Sequence, residues 1–328
     1  MGDVDRRRFL TTAAAMTFGA LAMPGTGLPA IARPRASRRD AVGGLVRPDG
    51  VSFGISAQRR GTETQIDAVL RMEQTADRPF DTVMQRMPWS RTPANAFSRW
   101  IGNSGRIPLL AWFSRKPDVP WNQIASGAHD DRIRTEARKI RDAGWPCYFS
   151  FHKEPEDEPQ LGDALAFRSA HDRVWQLFHD EEVSNAVFVP VLMASTFAGG
   201  HGGADRWLPK RYDLLGVDGY NRNISGNWRS AEGIFGPARD HAVRSSRPLM
   251  IVESGCVEGA LGQKGQWFID AAAVLTSWPE VVYFSYNDEM GDRNYRVDTS
   301  SSSVDGYRRM GADPSFNPAE TWVERAVA

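Results

Sequence analysis

The sequence predicts a (β/α)₈ barrel forming a single domain over residues 49–328. Three observations point to it: eight short apolar runs, helix-patterned segments between them, and a span of about 250 residues for the whole alternation. Most of the runs are continuously apolar rather than alternating, as parallel strands covered on both faces are. An open doubly wound sheet is the competing arrangement. It is disfavoured because no Gly-rich phosphate loop follows the first run.

The predicted strands are Val51–Ile55, Phe80–Gln85, Ile107–Phe113, Pro146–His152, Ala186–Leu192, Leu214–Asp218, Leu249–Glu253 and Val281–Tyr286. Helices are expected between them. Thr62 to Thr75 opens on Thr62-Glu63-Thr64-Gln65, the spacing of a capping box, and sets Ile66, Val69 and Leu70 at near-helical intervals. Asp130 to Ala143 stops at Gly144, a C-cap residue. Asp163 to His179 carries Leu165, Val174, Leu177 and Phe178, and Gln266 to Trp278 ends before Pro279. Ser300–Ser303 reads as a polar loop ahead of a closing helix, and Asn317–Ala328 as a final helix.

The N-terminus reads as an export segment. Arg6-Arg7-Arg8-Phe9-Leu10 fits the twin-arginine pattern, an apolar stretch from Ala13 to Met23 follows, and Ala30-Ile31-Ala32 offers a cleavage site. Residues 1–32 are therefore expected to be a signal peptide and 33–48 a flexible leader. The expected location is secreted or in the cell envelope, with no membrane insertion once the signal is removed, because the apolar stretch is too short to span a bilayer. Forty basic residues balance forty acidic ones, so nothing favours nucleic acid. Cys147 and Cys256 are expected as free thiols at opposite ends of the barrel.

In such a barrel the working side chains project from the C-terminal strand ends. The strands end near Trp89, near Trp112, at His152 and Glu154, at Asp218 and Tyr220, at Glu253, and at Tyr286, Asn287 and Asp288. This ring is rich in carboxylates and poor in histidine. None of the six histidines pairs with another at ligand spacing on one element, so neither a metal nor a cofactor is expected. Two carboxyls at strand exits, one protonated and one ionised, suit cleavage of a glycosidic bond. Glu154 is the candidate acid/base, with Glu156 as its rival in the acidic run that follows. Glu253 is the candidate nucleophile. Trp89, Trp112 and Trp228 are candidate sugar-stacking platforms, His201 lies in a Gly-rich loop able to close over a substrate, and Asp218 reads as structural.

The stretches Phe151-His152-Lys153-Glu154-Pro155-Glu156, Tyr212 to Asn221 and Arg247 to Gly255 together resemble glycoside hydrolase family 26. The likeness runs over most of residues 51–298. It implies a retaining β-mannanase-like enzyme without a cofactor, with Glu154 as acid/base, Glu253 as nucleophile, Tyr220 steering Glu253 and His152 near the substrate. The sequence departs from the family twice. Lys153 stands where the family commonly has His before the acid/base, and strand eight reads Tyr283-Phe284-Ser285-Tyr286 where clan members often carry Trp. Side chains alternate along a strand, so Lys153 is expected to face away from Glu154's side. The expected partner is a polysaccharide and the expected state a monomer. A carbohydrate-binding barrel without turnover and a metal-dependent hydrolase are the alternatives.

Overall fold

The computed structural model describes residues 50–316; the expected export segment, the expected leader and the expected helix at Asn317–Ala328 lie outside the described residues. Nine parallel strands make one sheet: β1 (Ser52–Ala57), β2 (Thr82–Pro88), β3 (Ile107–Phe113), β4 (Cys147–Phe151), β5 (Ala186–Phe188), β6 (Val191–Met193), β7 (Leu215–Asn221), β8 (Leu249–Cys256) and β9 (Val281–Asp288). Their order is β5-β4-β3-β2-β1-β9-β8-β7-β6. The count exceeds eight because Pro190 divides the fifth strand. Proline has no N–H to give a ladder, so β5 pairs with β4 while β6, beyond the break, pairs with β7. The Pro190 carbonyl accepts from Gly216 N at 2.9 Å and Phe188 O from Leu214 N at 3.2 Å. The two ends of the sheet are thus one continuous piece of chain, and the barrel closes through it.

Side chains fill the barrel's interior, chiefly Met84, Leu109, Tyr148, Met250, Val252 and Tyr283. Tyr283 fits because residue 54 is glycine: a Cβ there would lie 2.5 Å from the Tyr283 hydroxyl. The opposite strand faces pack under the helices in two apolar layers.

The helices are α1 (Gln65–Ala76), α2 (Ala96–Asn103), α3 (Trp121–Ala125), α4 (Asp130–Ala143), α5 (Ala164–Asp180), α6 (Ala194–Phe197), α7 (Ala204–Trp207), α8 (Ala231–Ser245), α9 (Gln263–Thr276) and α10 (Ser301–Ala312). The capping box of α1 falls two residues later than expected. Thr64 Oγ1 accepts from Asp67 N at 3.1 Å, and Asp67 Oδ2 accepts from Thr64 N at 2.8 Å; an ionised Asp suits the positive helix start better than the Gln65 amide does. Ser300 is the cap of α10 rather than part of a loop, its Oγ accepting from Ser303 N at 3.1 Å. Helix α8 escapes periodicity analysis because Gly233, Gly236 and Pro237 interrupt it. Pro237 cannot bond the carbonyl four residues back, which belongs to Gly233, and the Arg229 guanidinium donates to that carbonyl instead.

Candidate active site

Two charged side chains reach the barrel mouth only because their strands are irregular there. On β8, Leu249 and Ile251 face the helices while Met250 and Val252 face the interior. Continued alternation would turn Glu253 outward. Instead Val217 pairs with Ile251 and Asp218 with Glu253, so Val252 is an extra residue, and the bulge turns Glu253 inward beside Asp218. On β4, Phe149 and Phe151 face the helices, and Lys153 would follow them outward. His152 and Glu154 both take left-handed backbone angles, φ 50° and 52°, which for non-glycine residues is strained. The alternation is broken there, and Lys153 points into the mouth. The sequence-based placement of Lys153 away from Glu154 is thereby corrected.

Glu253 is buried and held on both oxygens. Arg86, from β2, reaches Oε1 with Nη2 at 2.5 Å and Nε at 2.9 Å. The Tyr220 hydroxyl donates to Oε2 at 2.5 Å, and Lys153 Nζ lies 3.1 Å from the same oxygen. Asn287 completes a ring, accepting from Arg86 at 3.0 Å and donating to the Tyr220 hydroxyl at 3.3 Å. Burial alone would raise the Glu253 carboxyl, but Arg86 and Lys153, with the Tyr220 and Arg86 hydrogen bonds, outweigh it and pull the carboxyl down to about 2. Glu253 is an ionised carboxylate in a fixed orientation.

Lys153 joins that ring to the rest of the site. Its ammonium donates to Asp218 Oδ2 at 2.5 Å and to Glu154 Oε2 at 3.1 Å. Burial works against the Lys153 charge, but Asp218, Glu154 and Glu253 hold its pKa above the ordinary range. Asp218 is raised by burial and then by Glu253 and Glu154, more than Lys153 lowers it. Glu154, 29% exposed, borders a groove of about 430 Å³ that is also lined by Asp218, Tyr220, Met193, Ser195 and Asn227.

The rival, Glu156, turns the other way. It is buried, its Oε1 accepts from Met193 N at 2.9 Å, and burial pushes it up to about 7. It ties the turn carrying Glu154 to the end of β6.

Other expected site residues lie elsewhere. His152 is fully buried; Ser114 N donates to its Nδ1 at 3.1 Å, Trp121 meets its ring edge-on, and burial pulls its pKa down to about 3. Trp89 and Trp112 stack on each other at 4.3 Å under Arg132, in the layer between strands and helices. Trp228 is half-buried against Gly259 and the outer core. His201 is exposed in its glycine-rich loop, its carbonyl accepting from Trp207 Nε1 at 3.0 Å. Cys147 and Cys256 are free and buried. Arg86 escaped the sequence reading, although a lone Arg inside the run Thr82–Pro88 is itself a signal that something negative faces it. Among the described residues no three or more His, Cys, Asp or Glu are placed to hold a metal ion, and no helix is long and apolar enough to cross a membrane.

Solved structures share this architecture over most of the chain. A family 26 β-mannanase from Bacteroides ovatus aligns with a TM-score of 0.60 and 12% identity, covering 87% of this chain and 95% of that one. This chain has the family 26 β-mannanase fold. The catalytic domain of the Bacillus sp. JAMB-750 family 26 endo-β-1,4-mannanase aligns with a TM-score of 0.61 and 11% identity, over 88% and 93% of the two chains. A β-mannanase from a symbiotic protist of the termite Reticulitermes speratus gives 0.58 and 14%, over 86% and 93%. No protein-family model and no curated protein sequence matches the chain.

Proposed function

We propose that the protein is a retaining glycoside hydrolase acting on a β-linked polysaccharide, a mannan or related β-glycan. The carrying observation is that Glu154 and Glu253 meet on one ammonium at the mouth of a family 26 barrel. Each contacts Lys153 Nζ at 3.1 Å, so their near oxygens are at most twice that distance apart. Contact through one shared ammonium suits a retaining pair, whose carboxyls stand ~5–5.5 Å apart, better than an inverting pair, which holds a water between carboxyls ~6.5–9.5 Å apart.

The chemistry follows from the two environments. Glu253, ionised and held from two sides, attacks the anomeric carbon. Glu154, beside the groove, protonates the departing oxygen and then takes a proton from the water that releases the sugar. Tyr220 and Arg86 are positioning residues for Glu253. The mannanases that share the fold support mannan as the first substrate to try.

A panel of mannans, xylans, mixed-linkage glucans and bacterial wall polymers with reducing-end detection tests the reading, and NMR of the first-formed anomer tests retention. Release of no reducing ends from any polymer, or an inverted first product, would overturn it. The second reading, a barrel that binds polysaccharide without turnover, is favoured by one observation, the Lys153 ammonium against both carboxyls. Binding without any released ends supports it. Export through the twin-arginine route is part of the proposal; a reporter fused behind residues 1–32 should leave the cell, and Arg6→Lys with Arg7→Lys should retain it.

A further inference from the structure

Three carboxyls share the single Lys153 ammonium, and the sharing is unequal. Asp218 is fully buried, Glu253 nearly so, and Glu154 about a third exposed. Arg86 is the second cation, committed to Glu253, with Glu289 at its outer edge at 3.0 Å. Tyr220 adds no charge while its proton lies toward Glu253. With Glu253, Glu154 and Asp218 all ionised against Lys153 and Arg86, the three carboxyls carry one negative charge more than the two cations, and fully buried Asp218 is where a low-dielectric surrounding resists it most. One proton on one carboxyl neutralises it. Asp218 has an oxygen for that proton: Oδ2 accepts from Lys153, while Oδ1 is buried with no hydrogen-bond partner.

We propose that Asp218 stores the proton that Glu154 delivers, passing it through the Lys153 ammonium; this rests on the glycosidase reading of the site. The transfer is balanced. The Asp218 carboxyl turns its O–H toward Lys153 Nζ, Lys153 gives one of its own protons to Glu154 Oε2, and it takes the Asp218 proton in exchange. Asp218 ends ionised, Lys153 remains an ammonium, and Glu154 becomes the neutral acid that protonates the leaving oxygen. When Glu154 later takes a proton from water, the exchange runs backward and restores Asp218. Lys153, next to the acid/base where the resemblance leads one to look for His, is then a conductor between two carboxyls.

Infrared difference spectra of wild type against Asp218→Asn, recorded at a pH well above the Glu156 carboxyl, test the store without any substrate. The expected result is a protonated-carboxyl stretch that is lost in Asp218→Asn and that shifts when aspartate carboxyls, but not glutamate carboxyls, carry carbon-13. Its absence from wild type, or a shift with labelled glutamate instead of labelled aspartate, overturns the proposal whether or not the protein cleaves sugars. The relay is tested on mannotetraose and 2,4-dinitrophenyl β-mannobioside, whose leaving group departs without an acid. Asp218→Asn should lose at least about ten times more kcat/KM on the first than on the second, since general acid help is worth about 10²–10⁴-fold and only the first leaving group draws on it. Equal losses on both would mean that Asp218 only shapes the site. If wild type turns over neither compound, the glycosidase reading fails on these sugars and the infrared result alone decides the proton store.

Discussion

The two carboxyls at the barrel mouth are held very differently. Glu253 sits within a strand, buried, in a ring of Arg86, Tyr220 and Asn287. Glu154 sits just past a strand, partly exposed, on left-handed backbone, with Lys153 as its ion-pair partner. The difference matches what each proposed role needs. A nucleophile must be aimed and kept ionised, which rigid neighbours accomplish. An acid/base must exchange protons and meet leaving groups, which calls for access and a nearby proton source.

The comparison is broken most directly at the rigid half. Glu253→Gln should abolish turnover, by about 10³-fold or more, with circular dichroism unchanged. Arg86→Met should cost less, about 10²-fold in kcat, by freeing the carboxylate to rotate. Tyr220→Phe removes one hydrogen bond to a charged group, a loss of about 1.5–3 kcal/mol, read as roughly 10–10²-fold in kcat. If Arg86→Met or Tyr220→Phe leaves kcat intact, the ring does not position the nucleophile.

The flexible half is sharpened by a stability measurement. Glu156 titrates near 7 in the folded protein against an ordinary 4.5, because burial disfavours its charge. A raised carboxyl pKa means the fold binds the proton more tightly than the unfolded chain does. Stability therefore falls as pH climbs from 4.5 to 7 and stays lower above. Glu156→Gln keeps an acceptor for Met193 N and should gain about 3 kcal/mol above pH 7, with no gain below 4.5. Urea midpoints at the two extremes check this; an equal gain at both would show that burial of the charge is not the cause.

Most of the architecture was legible in the sequence. All eight strand positions follow from apolar runs, and α4 and α5 from their caps and periodicity. The exceptions have local causes: Pro190 splits a strand, the Asp67 carboxylate moves a cap, and Pro237 hides a helix whose broken bond Arg229 repairs. In the site, position was legible and direction was not. Strand ends located Glu154, Asp218, Tyr220 and Glu253. Alternation, however, turns Lys153 and Glu253 outward, and only a strained turn and an extra residue, neither marked by residue type, turn them in. Two of the three tryptophans turned out otherwise. Composition flags them, but Trp89 and Trp112 bury each other's faces.

The extra residue at Val252 makes this site a matter of counting as well as chemistry. Deleting that one residue would even out the β7–β8 pairing and leave every acidic residue in the chain unchanged. The carboxylate would then sit under the helices, leaving Arg86 with Asn287 and Glu289 and Tyr220 with Asn287. Two chains sharing the stretch from Pro248 to Gly255 in all but length can therefore differ in whether they hold a reactive centre at all.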